Sequence, residues 1–309
     1  MTYSMATLPA AAGGRIVVLG NFDGVHKGHQ ALLAEAKRLG EELSLPVTVW
    51  SFKTLPGAAL TSSEQRAAYL RKYGADEVVY DVFDRVRGLS PAQFFREVLL
   101  NALNAKACVC GFNYSFGKQG VGNAETLKTL CSEAGILCSV VPEVALAGET
   151  VSSSRIRALL REGRTEEAAA LLGRPYALTG KVEGGRHFGR TIGLPTLNQR
   201  FGEEICLPKG GVYATACRIG GEVYPAVTNV GCCPTVTEGG EMVVETHVLD
   251  FEGELYGEEV SVGFLRRLRE ERKFSSVDEL KEEIERNCRE AKEVFSVCLG
   301  LDFSGFCFF

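Results

Sequence analysis

The sequence predicts an α/β chain of two domains: an open, mostly parallel sheet with helices on both faces, then a small antiparallel β-barrel with a closing helix. Three observations predict it. From Arg15 to Gly173, apolar runs of strand length alternate with runs of helical period, the register of repeated βαβ units. After Gly173-Arg174-Pro175-Tyr176 the helices drop out, and short β-rich runs punctuated by Gly and Pro take over. The 309 residues suffice for two ordinary domains, each with its own core.

Arg15-Ile16-Val17-Val18-Leu19 reads as a buried parallel strand, and Gln30 to Leu39 as its crossover helix, ended by Gly40. The alternation continues with a strand over Val47 to Phe52, a helix around Gln65 to Tyr73 closed by Gly74, and a strand over Glu77 to Phe83. Ser90-Pro91 opens a further helix, because proline suits the first helical position and serine the cap before it. Ala107 to Cys110 is the next strand, Ala124 to Ala134 a helix stopped by Gly135, and Leu137 to Val141 the last strand. Such a sheet binds ligands in the crevice at the carboxyl ends of its strands. In the second half the strand-like runs are Ala177 to Val182, Gly211 to Ile219, Val223 to Val230, Met242 to Phe251 and Val260 to Leu268, with Gly220-Gly221 turning a hairpin. Ser276-Val277-Asp278-Glu279 has the form of a capping box, and Leu280, Ile284, Cys288, Ala291 and Phe295 recur at helical spacing behind it. The domains are therefore expected at 1–173 and 174–309.

Composition removes several classes of function. With 34 Lys and Arg against 39 Asp and Glu the formal charge is −5, and no long basic run interrupts the chain, so neither nucleic acid nor an acidic membrane surface is the expected partner. The 11 cysteines are odd in number and fall below the roughly 8–10% of a disulfide scaffold. Cys108-Val109-Cys110 lies in an apolar strand and Cys232-Cys233 is adjacent, so none forms a CxxC pair, and they read as buried thiols of a reducing cytosol. Met1 to Gly14 has no Lys or Arg and lacks the charged start of a signal peptide, which makes a cytoplasmic protein the expectation. The aromatic tail Val294 to Phe309 is interrupted by Gly300, Asp302 and Gly305 and falls short of the roughly 18–20 apolar residues of a membrane span; packing on the second domain or self-association is expected of it.

The most informative stretch is Gly20-Asn21-Phe22-Asp23-Gly24-Val25-His26-Lys27-Gly28-His29-Gln30, where the first strand hands over to its helix. Unpaired amides and the helix dipole make that handover an anion site, and glycines let a ligand approach the backbone closely. His26 and His29, three apart, share one face of the first turn and can donate to one triphosphate. The glutamate and spacing of a zinc HExxH are absent. This stretch resembles the HxGH signature of the nucleotidyltransferase superfamily, and its flanks resemble the bacterial riboflavin kinase/FAD synthetase family. The resemblance implies a Rossmann-like nucleotidyltransferase domain in which Gly20, Phe22, Asp23, Gly24 and Gly28 hold ATP and His26 and His29 are catalytic. Gly111-Phe112-Asn113-Tyr114-Ser115-Phe116-Gly117 resembles the family's flavin-side loop, with Asn113 toward phosphate or metal-bound water. In Val151-Ser152-Ser153-Ser154-Arg155-Ile156-Arg157, the residues Ser153, Ser154 and Arg157 match an element that grips the triphosphate, Ser154 standing where threonine is usual.

Gly180 to Asn198 resembles the riboflavin kinase pattern, a Gly-rich loop leading into a Pro-Thr-x-Asn element; it is neither a Walker loop nor a dinucleotide fingerprint. The implied roles are ATP contacts for Gly184 and Gly193, and Mg²⁺ and ATP contacts for Thr196 and Asn198, whose oxygens have the hardness Mg²⁺ prefers. On Met242 to Asp250, alternation puts Glu245 and His247 on one face. By residue type alone Glu245 is as well read as a charged edge-strand residue; the family match makes it the base for the riboflavin 5′-hydroxyl. Asn229-Val230-Gly231 with Pro234-Thr235 resembles a further family loop. Arg269 to Phe274 resembles the flavin-side segment, with Arg269 at the isoalloxazine edge. The implied activity is bifunctional: riboflavin to FMN with ATP in the barrel, and FMN to FAD with ATP and release of pyrophosphate in the first domain, both with Mg²⁺.

The sequence departs from the family at Lys53-Thr54-Leu55-Pro56, where an acidic residue and a histidine usually follow the second strand, at Asn123 in place of Asp, and at Cys233 in place of Arg. Two alternatives follow: a riboflavin kinase whose first half only binds nucleotide, and a flavin-binding regulator without catalysis.

Overall fold

The computed structural model describes residues 1–184, 196–232 and 242–298. The chain divides into two compact units, Met1–Ser153 and Ser154–Phe309. The first opens with β1 (Thr2–Ser4), β2 (Arg15–Leu19), α1 (Lys27–Leu43), β3 (Val47–Phe52), α2 (Ser63–Lys72), β4 (Glu77–Asp81) and a short α3 (Phe83–Val86). Then come α4 (Pro91–Phe94), which widens into a π-helical stretch over Phe95–Ala102, β5 (Ala105–Gly111), β6 (Ser115–Phe116), β7 (Gly122–Asn123), α5 (Ala124–Glu133), β8 (Leu137–Val141), β9 (Ala145–Leu146) and β10 (Glu149–Thr150).

Six of these strands form the predicted parallel sheet in the order β1-β4-β3-β2-β5-β8. The chain leaves β2 toward β3 on one side and reaches β5 on the other, so the topological switch, and with it the crevice, lies between β2 and β5. Every residue of β2 is buried, as a strand covered on both faces requires. Ser62 and Ser90 both close capping boxes, with Gln65 and Gln93, and Pro91 takes the first helical position that its sequence context predicts.

Three details differ from the sequence reading. β1 pairs with β4 through Thr2, Tyr3 and Ser4, a run too short to show any period. Gly40 does not end α1, which continues to Leu43 and stops at Ser44 with φ 54°. Gly40 is needed inside the helix because a Cβ there would stand 3.0 Å from the Leu45 carbonyl oxygen and 3.1 Å from Val47 Cγ2. β4 ends at Asp81, whose carboxylate accepts the Val82 N–H at 2.8 Å and turns the chain before Phe83.

The boundary falls at the first residue of α6 (Ser153–Glu162), and the second unit holds the rest of that helix, α7 (Thr165–Leu172), β11 (Tyr176–Lys181), β12 (Leu197–Phe201), β13 (Gly211–Ile219), β14 (Glu222–Cys232), β15 (Met242–Val248), β16 (Glu259–Arg269) and α8 (Val277–Cys298). Its strands are antiparallel in the order β11-β16-β13-β14-β15-β12, and a bridge between Glu183 and Asn198 brings the two ends together into a nearly closed barrel. Gly220 and Gly221, at φ 56° and 99°, turn the predicted hairpin between Ile219 and Glu222. β12 was legible only as a Pro-Thr-x-Asn element.

Ala291 of α8 buries against Ala177, Val212, Ala214, Ala216 and Val227, with Cys288 and Phe295 packed partly buried beside it, as the apolar spacing predicts; Val294, outside the predicted face, is buried in the same cluster. The buried side of α8 is more polar than predicted, since Glu283 and Asn287 lie on it too. The capping box is displaced: Ser276 accepts the Glu279 N–H at 3.1 Å, but the Glu279 carboxylate takes Ser275 N at 2.9 Å and Ser275 Oγ at 2.7 Å. Among the described residues no helix is long and apolar enough to cross a membrane. The tail beyond Cys298 lies outside them.

Candidate active sites

In the first unit the chemistry gathers at the start of α1. His26 is the N-cap, its Nδ1 accepting the His29 N–H at 3.4 Å, so in the neutral ring the proton sits on Nε2. The His26 and His29 rings stack at 3.7 Å and 18°, and Phe22 packs on His29 at 5.1 Å. Gly28 permits this stacking, because a Cβ there would stand 3.1 Å from His26 Cε1. His29 Nδ1 is buried with no hydrogen-bond partner among the described residues. Burial, then the neighbouring His26, then the Arg66 guanidinium hold the His29 pKa well below its ordinary value. The result is a neutral imidazole with an unused polar atom at a helix N-terminus.

The loop that delivers this pair is strained. Phe22, Gly24 and Val25 have φ of 56°, 75° and 41°, and a β-branched residue in that region is a genuine outlier. It is held in place: the Val25 carbonyl accepts Gln30 Nε2 at 2.9 Å. The Asp23 carboxylate accepts the Leu60 N–H at 2.9 Å and 3.0 Å, and its carbonyl accepts Ser153 Oγ at 2.9 Å. Asp23 thus fastens the loop to its neighbours.

The first unit therefore brings together Gly20, Phe22, Asp23, Gly24, His26, Gly28, His29 and Ser153. Ser154 and Arg157 continue into α6, in the second unit. Asn113 is exposed in a turn closed by Tyr114 N to the Gly111 carbonyl at 3.0 Å, directly after β5, so it sits on the same rim of the switch. Asn123 N-caps α5 by accepting Thr126 N at 2.9 Å, a task Asp and Asn perform alike.

In the second unit the register does the gathering. Glu245 on β15 pairs with Asn198 on β12 and with Asn229 on β14, so the three side chains stand in one row on one face. Glu245 is exposed. Asn229 donates Nδ2 to Glu271 Oε1 at 3.0 Å, while its Oδ1 is buried with no partner among the described residues. Thr196 lines a small cavity with Leu197, Thr246, Phe251 and Tyr256. Thr246 ends a buried ladder of hydroxyls running from Thr215 to Thr228 at 2.8 Å and on to Thr246 at 2.9 Å. Gly184 is exposed beside Glu183; Gly193, the rest of the Gly-rich loop, Cys233, Pro234 and Thr235 lie outside the described residues.

Arg269 is held by α8. Its Nε reaches Asn287 Oδ1 and Glu283 Oε1, both at 3.0 Å, and its Nη1 the Glu270 carbonyl at 3.0 Å. Buried Glu283 also takes Arg272 at 2.8 Å and Arg286 at 2.5 Å, so Arg269 ties β16 to α8. Among the described residues no group of three or more His, Cys, Asp and Glu could hold a metal; Thr196 and Asn198 offer hydroxyl and amide oxygens instead. The sequence reading missed Arg66, and it placed Glu271 in the flavin-side segment and Asn229 in a family loop without giving either a role of its own. Only a loop resemblance marked Asn229, and nothing local marks Arg66.

Residues 8–155 match the family model of FAD synthetase and residues 172–295 that of riboflavin kinase. A relative from Bacillus subtilis (strain 168), named bifunctional riboflavin kinase/FMN adenylyltransferase, is 37% identical over 296 residues, covering 91% of this chain and 92% of its own. A relative of the same name from Haemophilus influenzae is 35% identical, covering 92% and 95%. A solved structure from Streptococcus pneumoniae, described as a macrolide-efflux protein, superposes with a TM-score of 0.84 at 33% identity over 92% of this chain and 95% of that one.

Proposed function

This chain belongs to the bifunctional riboflavin kinase/FMN adenylyltransferase family, and from that membership we propose which of its residues carry each reaction. The protein is an enzyme that phosphorylates riboflavin to FMN with ATP and adenylylates FMN to FAD with release of pyrophosphate.

For the kinase step, Glu245 accepts the proton of the riboflavin 5′-hydroxyl as that oxygen bonds to the γ-phosphorus and the bond to the ADP oxygen breaks. The row of Asn198, Glu245 and Asn229 supports this reading, since it sets a carboxylate between two amides on one face. Thr196 and Asn198 are the residues to hold Mg²⁺, and their hydroxyl and amide oxygens fit it. Bound there, the ion neutralises charge on the phosphates. Gly184 and Gly193 are the ATP contacts of the Gly-rich loop, and Arg269, tied to α8, stands at the start of the flavin-side segment.

For adenylyl transfer, an FMN phosphate oxygen bonds to the α-phosphorus of ATP while the bond to pyrophosphate breaks. Charge builds on the transferring group and on the leaving pyrophosphate, so fixed donors lower the barrier. His26, through Nε2–H, and His29 are such donors, with Ser153 hydrogen-bonded to the same loop and Asn113 on the flavin-phosphate side; the family match adds Ser154 and Arg157 as triphosphate contacts, and Gly20, Phe22, Gly24 and Gly28 shape the nucleotide cradle that Asp23 braces. One observation carries this reading: a stacked histidine pair at a helix N-terminus, one of them neutral with a buried and unpartnered ring nitrogen.

The partners are then the small molecules riboflavin, FMN and ATP, with no part for nucleic acid or membrane, and the site of action is the cytoplasm. Substituting His29→Ala should abolish conversion of FMN to FAD and leave riboflavin phosphorylation near wild type. Loss of both activities, or of neither, contradicts the assignment.

A further inference from the structure

Among the described residues, Arg66 is a charge without a counter-charge. It lies on α2 with 1% of its surface exposed, and its bonds go to neutral groups: Nε to the Tyr80 hydroxyl at 3.3 Å, Nη2 to the carbonyls of Phe52 at 2.5 Å and Lys53 at 2.8 Å. Its guanidinium carbon sits 5.0 Å from the Tyr80 ring centre. Among the described residues no carboxylate lies within ion-pair distance of it. A cation taken out of water against neutral partners is costly unless an anion joins it.

Its place points to that anion. The two carbonyls it holds are the last of β3 and the first after it, on the carboxyl rim of the sheet and next to β2, whose loop carries the histidine pair. Its field reaches His29. Resting on the reading of this unit as the adenylyltransferase, we propose that Arg66 is the resident cation of the phosphate end of that site, recruiting a substrate phosphoryl group as its counter-ion while it fixes the Phe52-Lys53 loop beside it. This loop is where the sequence departs from its family, and Arg66 supplies from beneath a polar anchor that Thr54 and Leu55 do not. The phosphoryl group belongs either to the triphosphate of ATP or to the monoester of FMN, and kinetics tells them apart.

The test uses the full chain as wild type, Arg66→Met and Arg66→Lys. Initial rates of FAD formation are measured against ATP and FMN, with inhibition by pyrophosphate and by uncharged adenosine, and with riboflavin phosphorylation as the internal control. Arg66→Met should weaken one phosphate-bearing partner by about 10-fold or more, the scale of a lost charge-assisted contact, with a smaller change in kcat. If the group is the triphosphate, the KM of ATP and the inhibition constant of pyrophosphate move together; if it is the monoester, the KM of FMN moves alone. Either result supports the inference when adenosine inhibition stays within about twofold and Arg66→Lys recovers most of the loss.

It is overturned if every phosphate-bearing constant stays within about twofold of wild type, if adenosine inhibition weakens in parallel, or if lysine gives no recovery. Should Arg66→Met fail to fold, Arg66→Lys decides alone: FAD formation within about tenfold of wild type supports the charge, and a loss as deep as that of His29→Ala overturns it. A wild type that forms no FAD overturns instead the reading of the unit on which this rests.

Discussion

Glu245 and His29 illustrate two ways in which surroundings set the work of a side chain. Glu245 is exposed on β15 in one row with two amides. Glu245→Gln should lower FMN formation by roughly 10²-fold or more, the scale of a positioned base, while FAD formation from supplied FMN persists. An unchanged rate of riboflavin phosphorylation would remove it from the mechanism. His29 is held neutral mainly by burial. The unfolded chain takes up a proton at such a histidine below about pH 6.5, and the folded unit does so only at lower pH, so the unfolded state binds more protons there. The stabilising contribution is complete above about pH 6.5 and is lost as the pH falls below it. Denaturation midpoints of the chain should accordingly decline from about pH 6.5 downward, and less steeply in His29→Asn, which leaves nothing to protonate. Equal slopes would show that His29 is not the group responsible. The histidine pair was legible because its spacing and its strand-to-helix setting are local. Arg66 was not, since nothing near it in the sequence says that a charge on α2 ends beneath β3.

At the scale of elements, the strands Arg15–Leu19, Val47–Phe52, Leu137–Val141 and Gly211–Ile219 were legible to the residue, because apolar runs of strand length bounded by breakers leave little choice. Elements of few residues, such as β1, carry no period to read. The end of α1 was misread because glycine signals either a stop or a close approach, and only the packing of Leu45 and Val47 distinguishes them. Gly211 shows the same point where it can be measured. It opens β13 at φ 145°, and a Cβ there would stand 2.6 Å from the Arg269 carbonyl oxygen. Gly211→Ala should destabilise the barrel by about 1–3 kcal/mol, the usual cost of a strained backbone position, visible as a lower thermal midpoint of the second unit with the first unchanged. A midpoint equal to wild type would show that the strand end yields freely.

For the whole molecule, two units account for two reactions, and the division between them is open to experiment. The sequence places it after Gly173, whereas α6 and α7 make contacts within the second unit: the Leu160 carbonyl accepts Lys209 N at 2.8 Å, Glu166 meets Arg266 at 3.0 Å, and Leu171 and Leu172 are buried. A fragment of residues 154–309 should therefore fold and phosphorylate riboflavin, and one of residues 174–309 should melt lower for want of those contacts. Equal stability of the two would return the boundary to Gly173. The central claim, that one chain performs both steps, is tested most directly by incubating the purified protein with riboflavin, ATP and Mg²⁺ and separating the flavins over time. FMN should rise first and then give way to FAD with pyrophosphate released; FMN that accumulates without any FAD, even when FMN is supplied in excess, or no phosphorylated flavin at all, would contradict it.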